Sequence, residues 1–127
     1  MMKKVIDSPK APKAVGPYSQ AQVFKDLLFT SGQIPLDPDS GAVVGNDVKT
    51  QAQRVFENLR AVLEEAGASF DTVIKATCYL DNMEDFAAFN EIYAHYLGES
   101  LPARSCFEVA RLPKDVLCEV ELIAYIP

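Results

Sequence analysis

PARSCFEVARLPKDVLCEVELIAYI, residues 102–126, reads as two strands joined by a short loop. Alternate residues of a strand point to opposite faces of the sheet. In the second strand Cys118, Val120, Leu122, Ala124 and Ile126 share an apolar face, and Glu119 and Glu121 point the other way. In the first strand Phe107 and Val109 form the apolar pair, and Arg104, Cys106 and Glu108 oppose them. If the two apolar sides share one core, Arg104, Cys106, Glu119 and Glu121 share the other face. An arginine among acidic groups on a regular sheet has two readings. One is a cross-strand ion pair on a solvated surface, worth a few tenths of a kcal/mol. The other is a carboxylate site, because guanidinium presents a planar fork of donors and a nearby glutamate can manage water or protons. On periodicity alone the ion pair is the simpler reading.

The segments around this stretch supply the rest of a compact fold. Val5 and Ile6 can open a short strand. Residues 8–17 carry Pro9, Pro12 and Pro17, which fix φ and remove donors, so they form an irregular arm leading to Tyr18. Residues 19–24 and 27–31 form a hairpin turning at Lys25-Asp26. Gly32 follows at once and marks either a turn or a backbone amide open to a ligand. Residues 36–46 are turn-rich, with a small extended excursion at 42–44.

Residues 47–66 repeat apolar groups at steps of three and four, from Ala52 to Ala66, which predicts an amphipathic helix. Asn46 or Asp47 caps its start and Gly67 ends it. Residues 72–80 are a strand with Ile74, Ala76, Cys78 and Leu80 on one side. Asp81 and Glu84 form a capping box for a second helix, whose stripe runs through Phe86, Phe89, Ile92, Tyr93, Tyr96 and Leu97 to Gly98. Asn90 lies at the edge of that stripe, placed either to hydrogen-bond a ligand or to face solvent. This order predicts an α+β domain over residues 1–127, with a mixed sheet of about six strands and two helices on one face. The other face is left with polar and large apolar groups, which favours self-association.

Composition narrows the function. Apolar residues are 49% and charged residues 24%, ordinary for a globular chain. No run approaches the roughly 20 apolar residues of a membrane span, and the first residues lack the apolar core of a secretory signal. A net charge of −6 without a basic cluster speaks against nucleic acid and anionic membrane as partners. Cys78, Cys106 and Cys118, odd in number and without C-x-x-C spacing, fit a reducing, cytoplasmic setting. His95 is the single histidine, so neither a metal site nor a Ser–His pair finds its second member.

Three blocks in one order carry a resemblance that shifts these odds. Gly16-Pro17-Tyr18-Ser19-Gln20-Ala21 is the first and Thr30-Ser31-Gly32-Gln33-Ile34-Pro35 the second. The third is Pro102-Ala103-Arg104-Ser105 with Glu108-Val109-Ala110-Arg111-Leu112-Pro113 and Glu119-Val120-Glu121. Together they resemble the RidA (YjgF) family over nearly the whole chain. The resemblance implies a homotrimer with a chorismate-mutase-like fold and three sites at its subunit interfaces. The implied activity is hydrolysis of reactive 2-imino and enamine acids, such as 2-iminobutanoate and 2-iminopropanoate, to 2-keto acids and ammonia.

By the same resemblance Arg104, Glu119 and Tyr18 are the catalytic residues, and Arg104, Ser31, Gly32, Asn90 and Cys106 bind substrate. The chemistry needs no metal or organic cofactor: an imine is already electrophilic, so positioning and proton management suffice. Two rival classes stand beside it. One is a non-enzymatic 2-keto-acid sensor using the same Arg104 grip. The other is an RNA-cleaving or translation-inhibiting protein, disfavoured by the acidic charge and the single histidine.

Overall fold

The computed structural model describes residues 2–127. Its strands and helices run β1 (Lys4–Ile6), β2 (Ala21–Phe24), β3 (Leu27–Thr30), α1 (Val48–Ala66), β4 (Val73–Leu80), α2 (Phe86–Leu97), β5 (Ala103–Glu108) and β6 (Cys118–Tyr125). The six strands form one mixed sheet in the order β1-β2-β3-β6-β4-β5. All pairings are antiparallel except β4 with β5. A parallel neighbour requires a crossover, and α2 is that crossover.

Helix α1 forms where its periodicity places it. The Asp47 carboxylate accepts from the Thr50 N–H at 3.1 Å. Gly67, at φ 84°, takes the left-handed conformation that closes the C-terminus. The inner stripe of Val55, Phe56, Leu59, Val62 and Leu63 is essentially without solvent contact. Each such side chain contributes about 1.5–3 kcal/mol by leaving water. The stripe packs on Leu28, Ala76, Cys78, Leu80, Val120, Leu122 and Ala124 of the sheet and on Phe89 and Tyr93 of α2. Asn58, fully buried on α1, donates to the carbonyls of Ile34 and Leu36, which fastens the 36–46 segment to the helix. Gln20 does the same for the proline arm, donating to the carbonyls of Ser8 and Pro12 while accepting from the Ser8 N–H.

Several expectations need correction. The helix start near residue 82 is capped by Asn82, whose side chain accepts from the Glu84 N–H, rather than by Asp81 with Glu84. A short 3-10 turn, Met83–Asp85, then leads into α2. Ile74 is exposed instead of lining the core. A register shift between Val73 and Lys75 puts Val73 inward in its place.

Residues 102–126 depart furthest from the expected pairing. Strands β5 and β6 are not neighbours, because β4 lies between them. Arg104 pairs with Ala76 and Cys106 with Cys78, whereas Glu119 pairs with Tyr79 and Glu121 with Thr77. Ala76 and Cys78 face the helices, and Thr77 and Tyr79 face away. Arg104 and Cys106 therefore stand on the helix side, and Glu119 and Glu121 on the open side. A cross-strand ion pair between Arg104 and either glutamate is ruled out within the chain. Phe107, assigned to the core by periodicity, is 51% exposed on the open face.

Candidate functional site

The structure divides the candidate residues into two half-sites on opposite faces of the sheet. The first lies where α2 overhangs the β5 edge. Phe86, Asn90 and Tyr93 are spaced i, i+4, i+7, so they form one stripe on α2. Arg104 extends from β5 under that stripe. Its Nη1 donates to Asn90 Oδ1 at 2.6 Å. Its guanidinium carbon lies 4.5 Å from the Tyr93 ring centroid and 5.4 Å from that of Phe86. Among the described residues no carboxylate pairs with Arg104: the ion pairs are Lys49–Glu91, Arg60–Glu57 and Arg111–Asp115.

A cleft of about 450 Å³ opens beside the guanidinium, lined by Asn90, Tyr93 and Leu97 of α2 and by Leu101, Pro102 and Arg104. Cys106 is half-buried on the same face. Burial raises its thiol above the ordinary value and the Arg104 charge offsets this only in part, so it is a poor source of thiolate.

The second half-site is on the open face, where β6 meets the segment after β3. The Gln33 N–H donates to the Val120 carbonyl at 2.9 Å and the Val120 N–H returns a bond to Gln33 at 3.2 Å. This clamp presses Gly32 onto Glu119: a Cβ built on Gly32 would lie 2.0 Å from Glu119 Oε2. The glycine is needed there for close approach rather than for a left-handed φ. Ser31 donates its hydroxyl to the Ser19 carbonyl at 2.6 Å, tying the end of the arm to this corner. Burial, and secondarily the charge of Glu121, hold the Glu119 carboxyl above its ordinary value. Glu121 itself accepts from the Tyr79 hydroxyl at 2.6 Å.

Tyr18 follows the arm one residue before Ser19, is half exposed, and accepts from the Val15 N–H at 3.4 Å. The fold thus brings Ser31, Gly32 and Glu119 together, and separately Arg104, Asn90 and Cys106. It does not join the two groups within one chain. Among the described residues no cluster of three or more His, Cys, Asp or Glu is placed to hold a metal ion. No helix among them is long and apolar enough to cross a membrane. Phe86 and Tyr93, assigned to the core by sequence reading, do pack in or against it, and both also face the Arg104 guanidinium. Their spacing around Asn90 was the signal that linked them to Arg104.

These two half-sites occur in a chain that matches the endoribonuclease L-PSP family profile over residues 8–126. A RutC family protein of Pyrococcus abyssi is 56% identical over 125 residues, covering 98% of each chain. The Escherichia coli protein named "Putative reactive intermediate deaminase TdcF" is 44% identical over 126 residues, covering 97% of each. The crystal structure of Escherichia coli TdcF with bound serine superposes with a TM-score of 0.92 at 42% identity, covering 98% of this chain and 99% of that one. The chain belongs to the RidA (YjgF), or L-PSP, family.

Proposed function

We infer that this chain hydrolyses small 2-imino acids to 2-keto acids and ammonia, at sites built between neighbouring subunits of a homotrimer. The observation that carries the reading is the division of the site. Arg104, free of any carboxylate partner, lies on one sheet face, and Glu119, with a raised carboxyl pKa, lies on the other. Each half is chemically incomplete alone. A second copy docking on the open face supplies the missing half. That face also exposes Phe24, Leu27, Phe29, Phe107 and Tyr125, an apolar surface that association would cover.

In this reading the substrate carboxylate takes two charge-assisted bonds from the Arg104 fork. Glu119 of the adjoining subunit accepts a proton from water as the oxygen attacks C2 of the C=N bond. The proton passes to nitrogen; Glu119 then carries the hydroxyl proton of the tetrahedral adduct to the amine, and collapse releases ammonia and leaves the 2-keto acid. A carboxyl held above its ordinary value suits Glu119 to both taking and giving protons. Ser31 and the Gly32 backbone form the wall beside Glu119, Tyr18 closes the site from the arm, and Cys106 contributes backbone rather than thiol. The serine bound to TdcF is likewise a small acid with nitrogen on the carbon next to its carboxylate. RNA cleavage is less well supported: the net charge is −6 and the single histidine is exposed.

The test is a coupled assay in which threonine dehydratase generates 2-iminobutanoate and keto-acid appearance is followed. Wild type is expected to accelerate the step and Arg104→Lys to lose most of that acceleration. No acceleration by wild type would remove the hydrolase reading for this substrate and leave keto-acid binding as the function to test.

A further inference from the structure

We propose that Phe86 and Tyr93 are positioning residues for Arg104, forming a neutral aromatic cradle that holds the guanidinium for a carboxylate without competing for it. The inference rests on the reading of Arg104 as the substrate anchor. An arginine at a sheet edge has high rotamer freedom, and ordering its side chain on binding would consume part of the affinity. Here that ordering is done in advance. The Tyr93 ring lies 4.5 Å from the guanidinium carbon, Phe86 5.4 Å, and Asn90 holds one Nη1–H at 2.6 Å.

None of these three groups is charged. Arg60 shows the contrasting arrangement: it also lies near two rings, Phe70 and Tyr96 at 5.5 Å each, but pairs with Glu57 at 3.5 Å, which neutralises it. For Arg104 the rings and one amide stabilise the cation by quadrupole and dipole, so its full charge remains for an incoming anion. The Tyr93 hydroxyl is buried with no hydrogen-bond partner, so the ring rather than the phenol serves Arg104.

Two measurements test this. The first is calorimetric titration of 2-oxobutanoate, with turnover measured in parallel. Phe86→Leu and Tyr93→Leu should weaken binding by about five- to thirty-fold, the equivalent of ~1–2 kcal/mol. KM should rise with kcat nearly unchanged, because a carboxylate anchor serves ground and transition states alike. Phe86→Tyr and Tyr93→Phe keep the rings and should bind like wild type. Failure of wild type to bind any keto acid would take down the substrate reading itself. Binding by wild type that Phe86→Leu leaves unchanged would take down the cradle alone. Equal loss in Tyr93→Phe and Tyr93→Leu would move the effect from ring to hydroxyl and also overturn it. The second measurement needs no variant to fold: the Arg104 Nε–H resonance of wild type should be shifted upfield by ring current. An ordinary arginine shift would contradict the cradle.

Discussion

Gly32→Ala is the substitution that most cleanly separates the site from the scaffold. Its Cβ would lie 2.0 Å from Glu119 Oε2, 2.8 Å from Cδ and 3.1 Å from Cγ. Real Cβ contacts essentially never fall under 3.0 Å, so the carboxylate must withdraw by about 1 Å or more. The obstructed atoms are the end of a flexible side chain, and Gly32 is not among the residues at positive φ. The folding penalty is therefore a rotamer shift of about 0.5–1.5 kcal/mol. Reduced freedom of the unfolded chain offsets it by about 0.4–1 kcal/mol. The net change in Tm should stay within about 5 °C. Turnover is another matter, since a 1 Å misplacement of a reacting group costs about 100-fold. Imine hydrolysis in the coupled assay should fall by about that factor, while melting followed by fluorescence barely moves. Gly41→Ala is the opposite control: nothing lies within 4 Å of its Cβ, but φ is +75°, so it should lower Tm and leave turnover intact. A Gly32→Ala protein with full turnover would refute the assignment of Glu119, and one that unfolds would make Gly32 a structural residue.

Two further outcomes follow from the same geometry. Because the Glu119 carboxyl is held above its ordinary value, the native chain binds that proton more tightly than the unfolded chain does. The stabilising contribution is thus present at acid pH and lost as pH rises through the raised value. Glu119→Gln should raise Tm at about pH 7 relative to wild type, by a difference that shrinks at about pH 4. A constant difference in calorimetric scans across that range would contradict the shift. Asn90→Asp puts a charge where Arg104 Nη1 now donates at 2.6 Å. It should leave Tm equal or higher but weaken keto-acid binding about 10- to 100-fold, by occupying the fork and repelling the ligand. An unchanged Kd would show that Asn90 does not bear on the anchor.

Much of this fold can be read from periodicity. The 3.6-residue repeat from Ala52 to Ala66 leaves one face that can be buried, and Asp47 and Gly67 mark the ends of α1 by capping chemistry. The alternation from Cys118 to Ala124 likewise defines the inner face of β6. Periodicity does not say which of two faces a short strand buries when both are partly apolar, and this is where β5 misleads. Phe107 looks like core while Arg104 and Cys106 look like surface, yet their register with Tyr79, Ala76 and Cys78 reverses both. A strand, a helix and a strand in succession, joined by short links, already imply a parallel pair spanned by the helix. That order was the available signal that β5 lies beside β4, with Arg104 under α2. The bulge at Val73 and Lys75 carries no such signal, since Val and Ile are interchangeable by pattern. The family blocks point to candidate residues without their spatial grouping, because a motif records chain order and not faces.

The central claim is that Arg104 of one subunit acts with Glu119 of its neighbour, and a mixing experiment tests it most directly. Arg104→Lys and Glu119→Gln chains, each expected to be nearly inactive, would be unfolded together in equal amounts and refolded. In a cyclic assembly with composite sites, about one quarter of the interfaces then join an intact Arg104 to an intact Glu119. The account predicts recovery of about one quarter of wild-type turnover. Turnover no greater than that of the separately refolded parents would contradict it.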